Sequence, residues 1–124
     1  TRIANLFRND TDELKKLITG YSFNDKDTVK AIKQVYNQYN YVVCPHTAIA
    51  WLALTDWQTK HPGSNATGIF LSTAHPCKFP DVFTGEMSDA VKVPAQVAQF
   101  QQKHRQSVPL KADFGEFKNY LLNN

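Results

Sequence analysis

The run Ile69-Phe70-Leu71-Ser72-Thr73-Ala74-His75-Pro76-Cys77-Lys78-Phe79 constrains this chain most, because an apolar stretch ends abruptly in hydroxyls, an imidazole and a proline. Gly68 through Leu71 is apolar on both faces, the pattern of a short strand buried between helices in a parallel sheet. Pro76 then opens a helix. In open α/β sheets, ligands sit in the crevice beyond the carboxyl ends of the strands, which is where Ser72, Thr73 and His75 are expected to fall.

At 124 residues, with 42% hydrophobic and 20% charged residues, the chain is long enough for one domain with one hydrophobic core and is not disordered. Its net charge of +3 is spread without a basic block, since Lys15-Lys16 is the only adjacent basic pair. The electrostatic footprint of a nucleic-acid binder is therefore missing. No stretch approaches the roughly 20 apolar residues that span a bilayer, and no basic-then-apolar leader opens the chain. These features predict a cytoplasmic protein that engages no membrane. The two cysteines, Cys44 and Cys77, agree with a reducing compartment and cannot make a disulfide framework.

Reading for period, Ile3, Leu6, Phe7, Leu14, Leu17 and Ile18 predict a helical region broken around Asn9-Asp10-Thr11-Asp12 and ended by Gly20. Asn24 is a good N-cap, and Val29, Ile32, Tyr36 and Tyr39 form the stripe of the amphipathic helix that follows. Tyr41-Val42-Val43 is extended, and Cys44 precedes a proline, which disfavours helical geometry. Pro45 suits a first helical position, and Thr47 to about Lys60 is predicted as the central buried helix. His61-Pro62-Gly63-Ser64-Asn65 is a turn-rich loop. Beyond Phe79 the pattern loosens, with a helix from about Pro94 to His104, an edge strand at most at Val108-Pro109-Leu110, and a last helix capped by Asp113.

The expected fold class is thus α/β, mostly helical with one clear buried strand and one or two minor strands. A strand buried on both faces needs neighbours, yet Tyr41 to Val43 and Val108 to Leu110 are the only further candidates. With a start at Thr1 rather than Met, the incomplete sheet suggests a carboxyl-terminal piece of a larger α/β protein.

Two segments, Tyr41-Val42-Val43-Cys44-Pro45-His46-Thr47-Ala48-Ile49-Ala50 and Ser72-Thr73-Ala74-His75-Pro76-Cys77-Lys78-Phe79, closely resemble the carboxyl-terminal part of the threonine synthase family. Gly20-Tyr21-Ser22-Phe23 and the helix after it look similar as well. The resemblance runs from about Thr1 to Phe79 and fades to length and general pattern afterwards. It implies a fold-type II pyridoxal-phosphate (PLP) enzyme, similar to the tryptophan synthase β chain. Such enzymes convert O-phospho-L-homoserine and water to L-threonine and phosphate. On this reading residues 1–124 form one fragment of the large domain, a cofactor-side wall with closing helices, whose partner is the remainder of the same polypeptide.

The resemblance assigns no catalytic residue to these 124 positions. The family's Schiff-base lysine, in a Phe-Lys-Asp setting, and its Gly/Asn-rich phosphate loop both precede this segment, so the fragment alone is expected to be inactive and to bind no PLP. Lys78 matches the lysine of the histidine-proline motif instead. Thr73 matches the position whose hydroxyl hydrogen-bonds the pyridine nitrogen of the cofactor. A neutral hydroxyl cannot hold a proton on that nitrogen as a carboxylate would. Cys77, where alanine is common in the family, is a small apolar exchange.

Each of these residues also has a plainer reading. Thr73 could serve as a capping hydroxyl before Pro76. His75 reads as a structural histidine holding the turn, since no carboxylate partner marks it as a general base. Lys78 either orients an anionic substrate or is a solvated first-turn lysine. Cys44, His46, His75 and Cys77 form a mirrored pair of possible metal ligands, but one-residue gaps on both arms are unlike structural zinc, and no metal is expected. A non-catalytic interaction module or degenerate homologue is the remaining alternative.

Overall fold

In the computed structural model, which describes residues 2–123, the chain is built of helices joined by turns and irregular segments. Its α-helices are α1 (Arg2–Leu6), α2 (Thr11–Leu17), α3 (Asp25–Tyr39), α4 (Pro45–Lys60), α5 (Glu86–Ala90), α6 (Ala95–Gln101) and α7 (Phe114–Asn123). Two 3₁₀ turns, Pro76–Lys78 and Pro80–Val82, lie between α4 and α5. The chain divides into two compact units, Thr1–Lys92 and Val93–Asn124.

No β-strand occurs among the described residues, so the α/β expectation is overturned and the fold is helical. The segment from Gly68 to Leu71 has no regular structure, and Ile69 and Leu71 are 83% and 74% exposed. A strand is defined by the ladder it shares with a neighbour. The other two candidates, Tyr41 to Val43 and Val108 to Leu110, are irregular as well, so the apolar run has nothing to pair with among these residues.

Local chemistry explains where the helices begin. Asp10 accepts hydrogen bonds from the Asp12 and Glu13 amides and starts α2, after Arg8 and Asn9 have turned the chain through positive φ. Asn24 Oδ1 accepts from the Asp27 amide at 2.9 Å, satisfying one of the unpaired donors at the start of α3. Pro45 occupies the first turn of α4, and Cys44 before it is extended, with ψ 162°. At the other end of α4, the Asp56 carboxylate bonded to Lys60 raises the pKa of that ammonium above its ordinary value.

The first unit is organised around the packing of α3 on α4. Thr28, Ala31, Ile32 and Val35 form the buried stripe of α3, an i, i+3, i+4, i+7 series. This corrects the stripe read from Val29, Ile32, Tyr36 and Tyr39, because Val29 and Tyr39 are exposed and Tyr36 is half-buried. Helices approach closely where side chains are small, and Ala31 on α3 and Ala48 on α4 are both fully buried. The core is completed by Val43 ahead of α4 and by Phe83 and Met87 from the segment after the 3₁₀ turns.

Helix α4 is less enclosed than its composition predicts. Only Thr47 and Ala48 are buried, while Trp51, Leu52, Leu54 and Trp57 are half-buried. On one side the Gly68 backbone comes so near that a Cβ there would stand 2.5 Å from Leu54 Cδ1.

The helix expected at Pro76 is a single 3₁₀ turn. Pro80 disfavours helical geometry at Phe79, which takes φ −128° and ψ 55°. The second unit, taken by itself, holds α6 and α7, neither with a buried residue. Asp113 Oδ1 accepts from the Glu116 amide at the start of α7.

Candidate functional site

The two segments singled out in the sequence meet at the start of α4. Cys44 is fully buried, and its Sγ lies 3.2 Å from Thr47 Oγ1, three residues along. The Thr47 hydroxyl donates in turn to Ser72 Oγ at 3.4 Å, across 25 positions of sequence. Next to Thr47, the His46 ring is 5.2 Å from that of Phe79, tilted by 58°. The beginning and the end of the 72–79 segment are therefore both held against the first turn of α4.

Within that segment, His75 acts on its own turn. Its Nδ1 accepts a hydrogen bond from the Cys77 amide at 3.2 Å, and its carbonyl accepts from the Lys78 amide at 3.1 Å. A backbone amide can only donate, so the imidazole is unprotonated at Nδ1 and carries its proton on Nε2. The histidine thus caps the 3₁₀ turn opened by Pro76.

Thr73 is exposed and follows directly on the anchored Ser72. Its hydroxyl takes no hydrogen bond from the described residues. Lys78 is exposed and forms no ion pair among the described residues. Cys44, His46, His75 and Cys77 are not gathered into a cluster, and among the described residues no three His, Cys, Asp or Glu side chains come together as a metal site would require. Both cysteines are free thiols.

Thr47 is the residue that sequence reading did not single out. It is 1% exposed and links the two segments. A polar residue at the third position of α4, just behind Cys-Pro and ahead of the apolar run Ala48 to Leu54, was the available signal.

Comparison with known proteins places the chain. The family described as "Threonine synthase, C-terminal" matches residues 47–121, which include most of α4, the 72–79 segment and most of the second unit. The chain belongs to the threonine synthase family. It is 31% identical to the threonine synthase of Escherichia coli K12, over 99% of this chain and 27% of that protein. The threonine synthase of Buchnera aphidicola subsp. Schizaphis graminum is 34% identical over 98% of this chain and 27% of its own length. That of Schizosaccharomyces pombe is 38% identical over 45% of this chain and 11% of its length. The chain spans about a quarter of the bacterial relatives it matches almost from end to end. No solved structure matches it significantly.

Among threonine synthases a match to the carboxyl-terminal family, rather than to the whole enzyme, agrees with so small a share of the relatives' length. No helix among the described residues is long and apolar enough to cross a membrane.

Proposed function

We propose that this chain is the carboxyl-terminal part of a PLP-dependent threonine synthase of the cytoplasm. In the complete protein the substrates are O-phospho-L-homoserine and water, and the products are L-threonine and phosphate. The observation that carries this reading is the family match, with relatives aligned over nearly the whole chain. The remainder of the same polypeptide supplies the Schiff-base lysine and the phosphate cradle, so the 124 residues alone release no phosphate.

The residue assigned to the cofactor is Thr73. Its exposed hydroxyl has no partner among the described residues, which suits a group that faces a ligand. The bond from Thr47 to Ser72 engages the neighbouring side chain with α4 and steadies the backbone that carries Thr73. When bound, PLP supplies an electron-withdrawing ring for chemistry at the substrate carbons. The Thr73 hydroxyl donates a neutral hydrogen bond to the ring nitrogen and holds no proton on it, because a hydroxyl remains un-ionised near neutral pH. Its contribution is orientation of the ring without a countercharge.

The test is Thr73→Val in the full-length protein, with Thr73→Ser beside it. Valine keeps the shape and removes the hydrogen bond, whose net worth is about 1 kcal/mol. The expected result is a shifted cofactor absorption band and roughly fivefold weaker PLP retention, both restored by serine. An unchanged spectrum and unchanged retention in Thr73→Val would refute the assignment. Phosphate release above background by the 124-residue chain alone would refute the wider reading.

A further inference from the structure

We propose that Thr47 is a positioning residue for the cofactor contact at Thr73, acting through a hydrogen-bonded chain that runs from Cys44 through Thr47 to Ser72; the assignment rests on the cofactor-facing role of Thr73. A helix threonine can spend its hydroxyl on its own helix, by donating to the carbonyl one turn back. The other threonines of α3 and α4 all do so. Thr28 donates to the Asn24 carbonyl at 2.9 Å, Thr55 to that of Trp51 at 2.9 Å, and Thr59 to that of Thr55 at 2.8 Å. Thr47 is the exception, because its hydroxyl leaves α4 and donates to Ser72 Oγ at 3.4 Å.

The chain of bonds has a direction. A hydroxyl has one proton to give and two lone pairs to receive with. With its proton given to Ser72, Thr47 Oγ1 accepts from the Cys44 thiol, whose Sγ is 3.2 Å away. Cys44 and Thr47 are both buried, so neither turns to bulk water instead. The Thr47 hydroxyl is thereby held in one orientation, aimed out of the core at an exposed serine.

The support behind it is stiff. Thr47 lies in the first turn of α4, beside the fully buried Ala48, on a helix packed against α3. Side chains carried by packed helices hold a geometry more tightly than an irregular segment holds its own. Ser72 and Thr73 share one planar peptide unit, so drawing Ser72 toward α4 fixes the backbone from which the Thr73 hydroxyl departs.

The experiment measures PLP retention and the cofactor absorption band of the full-length protein in Thr47→Val and Thr47→Ser, each alone and beside Thr73→Val. Thr47→Val is expected to shift the band in the same direction as Thr73→Val and to weaken retention about two- to fourfold, with the far-ultraviolet spectrum unchanged. Thr47→Ser, which keeps the hydroxyl, retains both properties. Beside Thr73→Val, the change at position 47 costs nothing further, because the side chain it positions has lost its bond.

A threonine kept only for packing gives the reverse order, with Thr47→Val tolerated and Thr47→Ser impaired, and that order would overturn the proposal. So would a Thr47→Val loss that persists in full beside Thr73→Val, since it places the effect outside Thr73. An effect of Thr73→Val with none of Thr47→Val fails this proposal and leaves the role of Thr73 standing, whereas silence of both fails the two together. Should Thr47→Val not fold, Ser72→Ala breaks the same bond from the exposed side, with the same loss and the same non-additivity expected. An unchanged band and unchanged retention in Ser72→Ala would then overturn the proposal.

Discussion

Phe83 is 4% exposed and packs with α3, α4 and Met87, although it lies in an irregular stretch between the second 3₁₀ turn and α5. Truncating it to alanine measures how firmly that stretch is docked. An aromatic side chain buries on the order of 150 to 250 Å², and at about 25 cal/mol per Å² this corresponds to roughly 4 to 6 kcal/mol as an upper bound. Measured Phe→Ala losses in cores are about 3 to 5 kcal/mol, so a loss of about 4 kcal/mol is expected. A unit of this size has a total stability of only about 5 to 14 kcal/mol. With a urea dependence of about 2 kcal/mol per molar, the midpoint should fall by about 2 M. Trp51 and Trp57 on α4 give the fluorescence signal, and the far-ultraviolet spectrum reports the helices. Phe83→Leu retains most of the apolar contact and should cost on the order of 1 kcal/mol. A midpoint change below about 0.5 M in Phe83→Ala would refute the docking of residues 76–87 onto the helical pair. The position of His75 would fall with that docking.

Two other substitutions test the backbone and the exposed apolar run. Gly85 has φ 62° and ψ −137° ahead of α5, and an added Cβ would meet nothing within 4 Å, so Gly85→Ala should cost about 1 to 3 kcal/mol by conformational strain alone. A neutral result by thermal unfolding would show that the chain turns another way there. Ile69→Ser in the 124-residue chain should change stability by less than about 0.5 kcal/mol in urea, because the side chain is 83% exposed. A loss of about 2 kcal/mol or more would restore the buried strand that the sequence suggests.

What could be read in the sequence is what local chemistry decides. Asn24 and Asp113 cap their helices because a short acceptor side chain before an amphipathic run meets the unpaired amides wherever that run folds. Pro45 was legible as a first-turn residue for the same reason. The apolar run at Ile69 to Leu71 failed because its pattern reports what a strand would need, and the needed neighbours belong to tertiary structure. The stripe of α3 came out one residue off because Thr28 and Ala31, small and weakly apolar, weigh less in a hydrophobic reading than Val29 and Tyr39. Close helix packing favours the small pair. At the site, the resemblance singled out the two segments, but neither their meeting nor the hydroxyl that joins them could be read from it. Thr47 and Ser72 are far apart in sequence, and neither carries a local sign of the other.

The polar end of the 69–79 run is held by contacts that are individually weak. The Thr47 to Ser72 bond, at 3.4 Å, is long for hydroxyls. The His75 to Cys77 bond, at 3.2 Å, closes only one short turn. The tilted pair of His46 and Phe79 adds about 0.5 to 1.5 kcal/mol beyond its burial. None of them would fix the segment alone, yet the contacts at Ser72 and Phe79 tether its two ends to α4, and the bond at His75 fixes the turn between them. Thr73 stands inside that tethered span with a hydroxyl that none of the anchors uses. A side chain meant only to cap the following turn would be bonded to it, and that duty has gone to His75. The division of labour favours the cofactor-facing reading of Thr73 over the capping one, because the competing task is already filled two residues away.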